Sequence, residues 1–151
     1  MSTDTCTHER CDTNVATSEP TNAVSKLKAT IVVLSDPNSS SQEEALGRVF
    51  NALAAAYDFK RRGDDVTLQF QGAGTRWIAK LSEADHPAHA LFKEVEDTVA
   101  GVSCGCADVF GGGEDAVASG FDLITDNPVP GTTGMPSLAS IVSEGRTVLT
   151  F

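Results

Sequence analysis

The chain has 151 residues, is 40% hydrophobic, and carries 21 Asp and Glu against 11 Lys and Arg, a formal net charge of -10. That length predicts one domain with a core of its own, and the composition excludes a collagen, a wholly disordered chain and a disulfide scaffold. The acidic balance excludes phosphate backbones and anionic lipid as natural partners, so neither nucleic acid nor membrane is expected.

No apolar run nears the roughly 18 residues that span a bilayer. The N-terminus has no basic region leading into an apolar stretch, so a cytoplasmic location is expected. An acidic surface of this kind keeps proteins hydrated and apart, as in halophiles.

Residues 1–28 are rich in Thr, Ser, Asn and Asp and hold few large apolar side chains. Such a segment cannot repay its ordering entropy, so it is expected to be a flexible polar tail ahead of a domain at 29–151. Its unusual feature is Cys6-x-His8-x-x-Cys11, three metal-ligand types whose spacing fits no common zinc finger. No metal is expected there.

From Ala29 the pattern changes. Ala29–Leu34 is a short, β-branched run, expected as a buried strand that ends in the loop Ser35–Ser41. Ser40 and Ser41 each precede a Glu by three positions, the pattern of a capping box. The following helix runs to about Arg62, with Leu46, Val49, Phe50, Leu53 and Tyr57 expected inward. Lys60, Arg61 and Arg62 fall in its last turn, where cations complement the helix dipole, and Gly63 ends it.

Asp65–Phe70 alternates and predicts a second strand. Gly72-Ala73-Gly74 then turns the chain; it lacks a full phosphate-binding fingerprint, and a turn that needs small residues explains it equally. A short helix is expected over Thr75–Leu81, and another from Asp85-His86-Pro87 with Leu91, Phe92 and Val95 inward. His86 and His89, three apart, have no third metal ligand obviously placed beside them.

Thr98–Ser103 predicts a third strand that runs straight into Cys104-Gly105-Cys106 and a helix. Glycines 111–113 break that helix, and Glu114–Ser119 resumes it. Phe121–Thr125 predicts a fourth strand, followed by a Pro- and Gly-rich loop. Pro136–Glu144 predicts a helix with Leu138, Ile141 and Val142 inward, and Thr147–Phe151 a fifth strand. Strands alternating with helices predict an α/β fold, a doubly wound, mainly parallel sheet with helices on both faces. Sites then form beyond the carboxyl ends of the strands, in the loops at 35–41, 71–76, 103–107 and 126–135.

Cys104 is the strongest chemical candidate. A thiol at a strand end where a helix begins meets partial positive charge from free N–H groups, which favours the nucleophilic thiolate. Packing as a small buried hydrophobe is the competing reading for both Cys104 and Cys106. A disulfide across one intervening residue is strained, so no stable bridge between them is expected.

Several segments, in this order, resemble the DsrE/DsrF-like family, including its TusD and YchN types: Ala29–Leu34 with its Ala-rich helix, Val66–Gly74, Val102–Ala107, and Ser137–Val142 through Val148–Phe151. The resemblance spans about residues 29–151. It implies a three-layer, flavodoxin-like sandwich with a five-stranded, mainly parallel sheet, assembled as homo-oligomeric trimers or hexamers. It implies a sulfur-relay or thiol-redox protein that carries a persulfide on Cys104, with Cys106 as a second, auxiliary or resolving thiol. Its partners would be a sulfur donor and a sulfur acceptor protein, and no cofactor is implied.

Where many members have an Arg shortly after the cysteine, this chain reads Ala107-Asp108-Val109-Phe110, with Glu114 and Asp115 following. A negative neighbour disfavours a thiolate. Two alternatives stay open: a non-enzymatic homo-oligomeric module whose cysteines only pack, and a binder of a nucleotide or flavin that uses the loops near Gly72 and Pro128.

Overall fold

A computed structural model describes residues 24–151. The expected tail, with Cys6, His8 and Cys11, lies outside the described residues except for its last five positions. The elements are, in order, β1 (Lys28–Val33), α1 (Gln42–Arg61), β2 (Asp65–Phe70), α2 (Trp77–Ser82), α3 (His89–Val95), β3 (Val99–Ser103), α4 (Cys104–Phe110), α5 (Gly113–Ala118), β4 (Leu123–Ile124), α6 (Leu138–Ser143) and β5 (Thr147–Thr150). Short 3-10 turns occupy Gly72–Arg76 and Glu96–Thr98.

The strands form one sheet in the order β4-β3-β2-β1-β5, and every pairing is parallel. The fold is α/β, as expected, and the sheet is parallel throughout.

The strand order decides where the helices lie. From β1 to β4 the chain steps steadily one way, then returns past β1 to add β5. Right-handed crossovers put α1 to α5 on one face and leave only α6 for the other. The core follows that division. Ile31, Val33, Leu68, Phe70 and Val102 are buried together with Val49, Leu53, Ile78, Phe92 and Val95 from the helices. Each such side chain, fully buried, contributes about 1.5–3 kcal/mol.

Alternation turns Thr30, Thr67 and Gln69 to the opposite face. There Thr30 and Thr67 share a hydroxyl hydrogen bond of 2.9 Å. Arg146, on the turn before β5, donates to Thr30 Oγ1 at 2.9 Å and pairs with Asp65 at 2.9 Å. This polar seam locks the edge strand β5 onto β1 and β2.

Three sequence expectations need correction. In α1 the buried stripe is Ala45, Val49, Ala52, Leu53 and Ala56, so Phe50 stands on its flank and is 41% exposed. The capping box does not form: Ser41 is the N-cap, yet its side chain makes no capping bond. In α6 only Ile141 turns partly inward, while Leu138 is 46% and Val142 59% exposed. A lone helix on its face has no neighbour to cover its flanks.

The basic triplet serves the fold. Lys60 bonds the Glu94 carbonyl and Asp97, and Arg62 pairs with Asp64. Among the described residues, no helix is long and apolar enough to cross a membrane.

Candidate functional site

The chain leaves β3 and enters α4 with no linker. Ser103, fully buried, is the N-cap of α4, and its hydroxyl accepts from the Cys106 N–H at 3.4 Å. Cys104 is therefore the first helical residue and is partly exposed, whereas Cys106 is 7% exposed. Both thiols are free. Residues two apart on a helix do not face each other, so the two side chains leave α4 in different directions.

The loop between β4 and α6 folds over the start of α4. An antiparallel bridge of two backbone bonds, 2.7 and 2.9 Å, joins Asn127 to Met135 and closes the loop on itself. The Gly105 N–H then donates to the Gly134 carbonyl at 2.7 Å. A Cβ on Gly105 would sit 3.0 Å from that carbonyl oxygen. Gly134 itself has φ +111°, and a Cβ there would meet the Thr125 carbonyl at 2.7 Å. Two glycines thus allow backbone to rest on backbone.

That contact brings Thr133 to the thiol. Its Oγ1 lies 3.1 Å from Cys104 Sγ and 2.6 Å from Asp108 Oδ2. Cys104 and Asp108 are four apart on α4, so they share a face. Sequence reading singled out the loop and Asp108 separately. Thr133 had no signal of its own, because its contact with Cys104 spans 29 positions.

The surroundings of Sγ differ from the expectation of a helix start rich in free N–H groups. The Gly105 N–H is engaged by Gly134 and the Cys106 N–H by Ser103. The helix has only seven residues. A hydroxyl and, behind it, a carboxylate therefore dominate the polar environment of Cys104.

Arg76, in the turn after β2, ties the loop after β1 to the end of α4. Its Nη1 donates to both Asp36 carboxylate oxygens, at 2.9 and 3.0 Å, and its Nε donates to the Phe110 carbonyl at 2.6 Å. The Asn38 N–H and Arg76 together hold the Asp36 carboxyl below its ordinary value. The Gly72-Ala73-Gly74 turn opens a 3-10 turn, and Gly74 packs against the Val33 carbonyl, which supports the small-residue explanation.

A cleft of about 390 Å³ opens where β1 and β5 end, lined by Ser35, Asp36, the serines before α1, Arg48 and Phe151. This is the switch point of the sheet, the general location for ligands in such folds. The loops near Gly72 and Pro128 do not line it.

His86 and His89 turn to the backbone. His86 Nδ1 accepts from the Ala88 N–H at 3.2 Å, and His89 Nδ1 lies 2.8 Å from the Leu81 carbonyl. Burial pushes the His86 imidazole below its ordinary value. Among the described residues, no group of three or more His, Cys, Asp or Glu could hold a metal ion.

Comparison with known proteins gives one match. A family model, the DsrE/DsrF-like family, covers residues 28–151. No curated protein and no solved structure matches.

Proposed function

The chain belongs to the DsrE/DsrF-like family, and on that footing we propose that it is a sulfur-relay or thiol-redox protein carrying a persulfide on Cys104. The observation that supports this most is the position of Cys104. It is a free, partly exposed thiol at a strand's carboxyl end, with its Sγ against a hydroxyl.

In the transfer, the Cys104 thiolate attacks the outer sulfur of a donor persulfide. A bond forms between Sγ and that sulfur, and the donor's S–S bond breaks. The electron pair and the proton released by Cys104 end on the donor cysteine. The exchange is redox-neutral: one thiol and one persulfide before, one persulfide and one thiol after. An acceptor thiolate later removes the outer sulfur by the same chemistry. Cys106 is the auxiliary thiol; buried and facing elsewhere, it lies poorly for direct resolution unless the first turn of α4 opens.

The partners are a sulfur donor and a sulfur acceptor protein, in the cytoplasm. A homo-oligomer, trimer or hexamer, is part of the same reading. Leu138 and Val142, four apart on the outer side of α6, offer apolar surface for it, as does Val117. The test is intact-protein mass spectrometry after incubation with a persulfide donor. The expected result is a gain of one sulfur atom that disappears in Cys104→Ser; no gain in the unaltered protein overturns the reading.

The cleft at the β1/β5 switch favours a second reading, the binding of a small ligand such as a nucleotide or flavin. Titration with these compounds followed by thermal unfolding distinguishes it: a stabilisation that grows with ligand concentration supports binding, and none opposes it.

A further inference from the structure

Thr133 has one hydroxyl proton and two neighbours to receive it. The bond to Asp108, 2.6 Å long, has the length of a charge-assisted O–H to carboxylate bond. The approach to Cys104 is 3.1 Å. The carboxylate is the stronger acceptor, so it takes the proton. The hydroxyl oxygen then offers Cys104 only lone pairs, and a thiol can donate to those whereas a thiolate cannot.

Asp108 is exposed, and so are Val109 and Phe110 beside it. A docking protein can therefore reach the carboxylate directly. The chain's net charge of -10 favours a docking surface with basic side chains.

We infer that Thr133 and Asp108 form a gate that holds Cys104 in its unreactive thiol form, and that a basic group of a docking partner opens the gate by pairing with Asp108. With Asp108 paired, the Thr133 proton turns toward Sγ, and an acceptor of the thiol's hydrogen bond becomes a donor to the thiolate. The Cys104 proton leaves for water, or for the donor cysteine in a sulfur transfer. This deepens the persulfide reading, resting on Cys104 as the sulfur carrier, and assigns Thr133 and Asp108 as positioning residues.

Other charged groups stand on elements packed against α4. They are Arg76, already paired with Asp36, Glu114 and Asp115 on α5, and Asp126 in the covering loop. Among the described residues none of these bonds Cys104 or Thr133.

The test is the rate of iodoacetamide alkylation at Cys104, resolved by fragment mass spectrometry over a pH series, for the full chain and its D108N, T133V and D108N/T133V variants. Both substitutions are at exposed side chains. D108N should raise the rate at neutral pH about tenfold. The double variant should lose that gain, because no hydroxyl remains to donate.

A short lysine-rich peptide should accelerate the unaltered protein and leave D108N unaffected. An unchanged or slower D108N overturns the gate. So does a gain that survives in D108N/T133V, which would make Asp108 a plain charge acting without Thr133. Equal acceleration of both proteins by the peptide overturns the partner's role.

Alkylation needs no sulfur donor, so the gate can fail while sulfur loading succeeds, or the reverse.

Discussion

Two carboxyl ends of the same sheet solve different problems. At the β1/β5 end the strands part around a cleft of about 390 Å³, lined by serines, Asp36 and Arg48 and lacking any thiol. At the β3 end a thiol stands at the first residue of a helix, and a loop lies on it backbone to backbone. The cleft has room for a small molecule but no nucleophile. The thiol has a nucleophile's chemistry, and its neighbours on α4, Asp108, Val109 and Phe110, are exposed. Under the proposed function, a partly exposed thiol beside an exposed helix face suits cargo delivered by another protein. Space at a switch point suits a diffusing ligand. Under the proposed function the two ends are independent, and that independence can be tested.

The largest expected effect is complete. Cys104→Ser should abolish sulfur loading, while Cys106→Ser should retain it, because the buried thiol does not face the surface that Cys104 occupies; loading lost in both variants would join the two thiols into one device. Gly134→Ala comes next. A Cβ there would meet the Thr125 carbonyl at 2.7 Å, in a backbone conformation that L residues rarely adopt. A loss of about 2 kcal/mol or more is expected in urea unfolding, and an unchanged midpoint would mean that the loop does not rest on Thr125.

At the other end, Arg48→Ala removes the cation of the cleft and an exposed i,i+4 pair with Glu44. It should cost less than about 0.5 kcal/mol and leave sulfur loading unchanged. A collapse of loading would show that the cleft and the thiol are one site.

The smallest effects are those of pH. Asp36 is held below its ordinary value first by the Asn38 N–H and by Arg76, and Asp65 by Arg146. His86 is held below its own by burial. Each of these groups binds a proton less readily folded than unfolded, so the unfolded chain gains protons as pH falls. Stability should therefore decline first as pH drops through about 6.5, where an unfolded histidine charges, and again through about 4, where unfolded carboxylates do. His86→Gln should remove the first step and Asp36→Asn should flatten the second, both read from urea midpoints across the pH range. Stability that rises on acidification would contradict the assignment.

Much of this fold was legible because local pattern and tertiary role agree. The β-branched run Ala29–Leu34, the alternation of Asp65–Phe70 and the glycines that end helices each specify one local structure. The failures have physical causes. Phe50 and Val142 look inward by spacing, but burial depends on which face a helix turns to the sheet and on what stands beside it. The serines before α1 match a capping pattern, yet Ser39 donates to the Ser41 carbonyl and Ser41 itself caps nothing. At the candidate site, Cys104 was readable from its place at a strand-to-helix junction. Its partner Thr133 was not, because a contact across a long loop leaves no periodic trace; only the glycines that seat the loop, Gly105 and Gly134, were on view, and neither names the residue it delivers.

The central claim concerns one sulfur atom on one residue, and peptide mapping after exposure to a persulfide donor reads it most directly. The expected spectrum has a single additional sulfur on Cys104, removable by a thiol reductant and still present when Cys106 is serine. Sulfur found on Cys106 alone, or on neither residue while the fold stays intact, would contradict it.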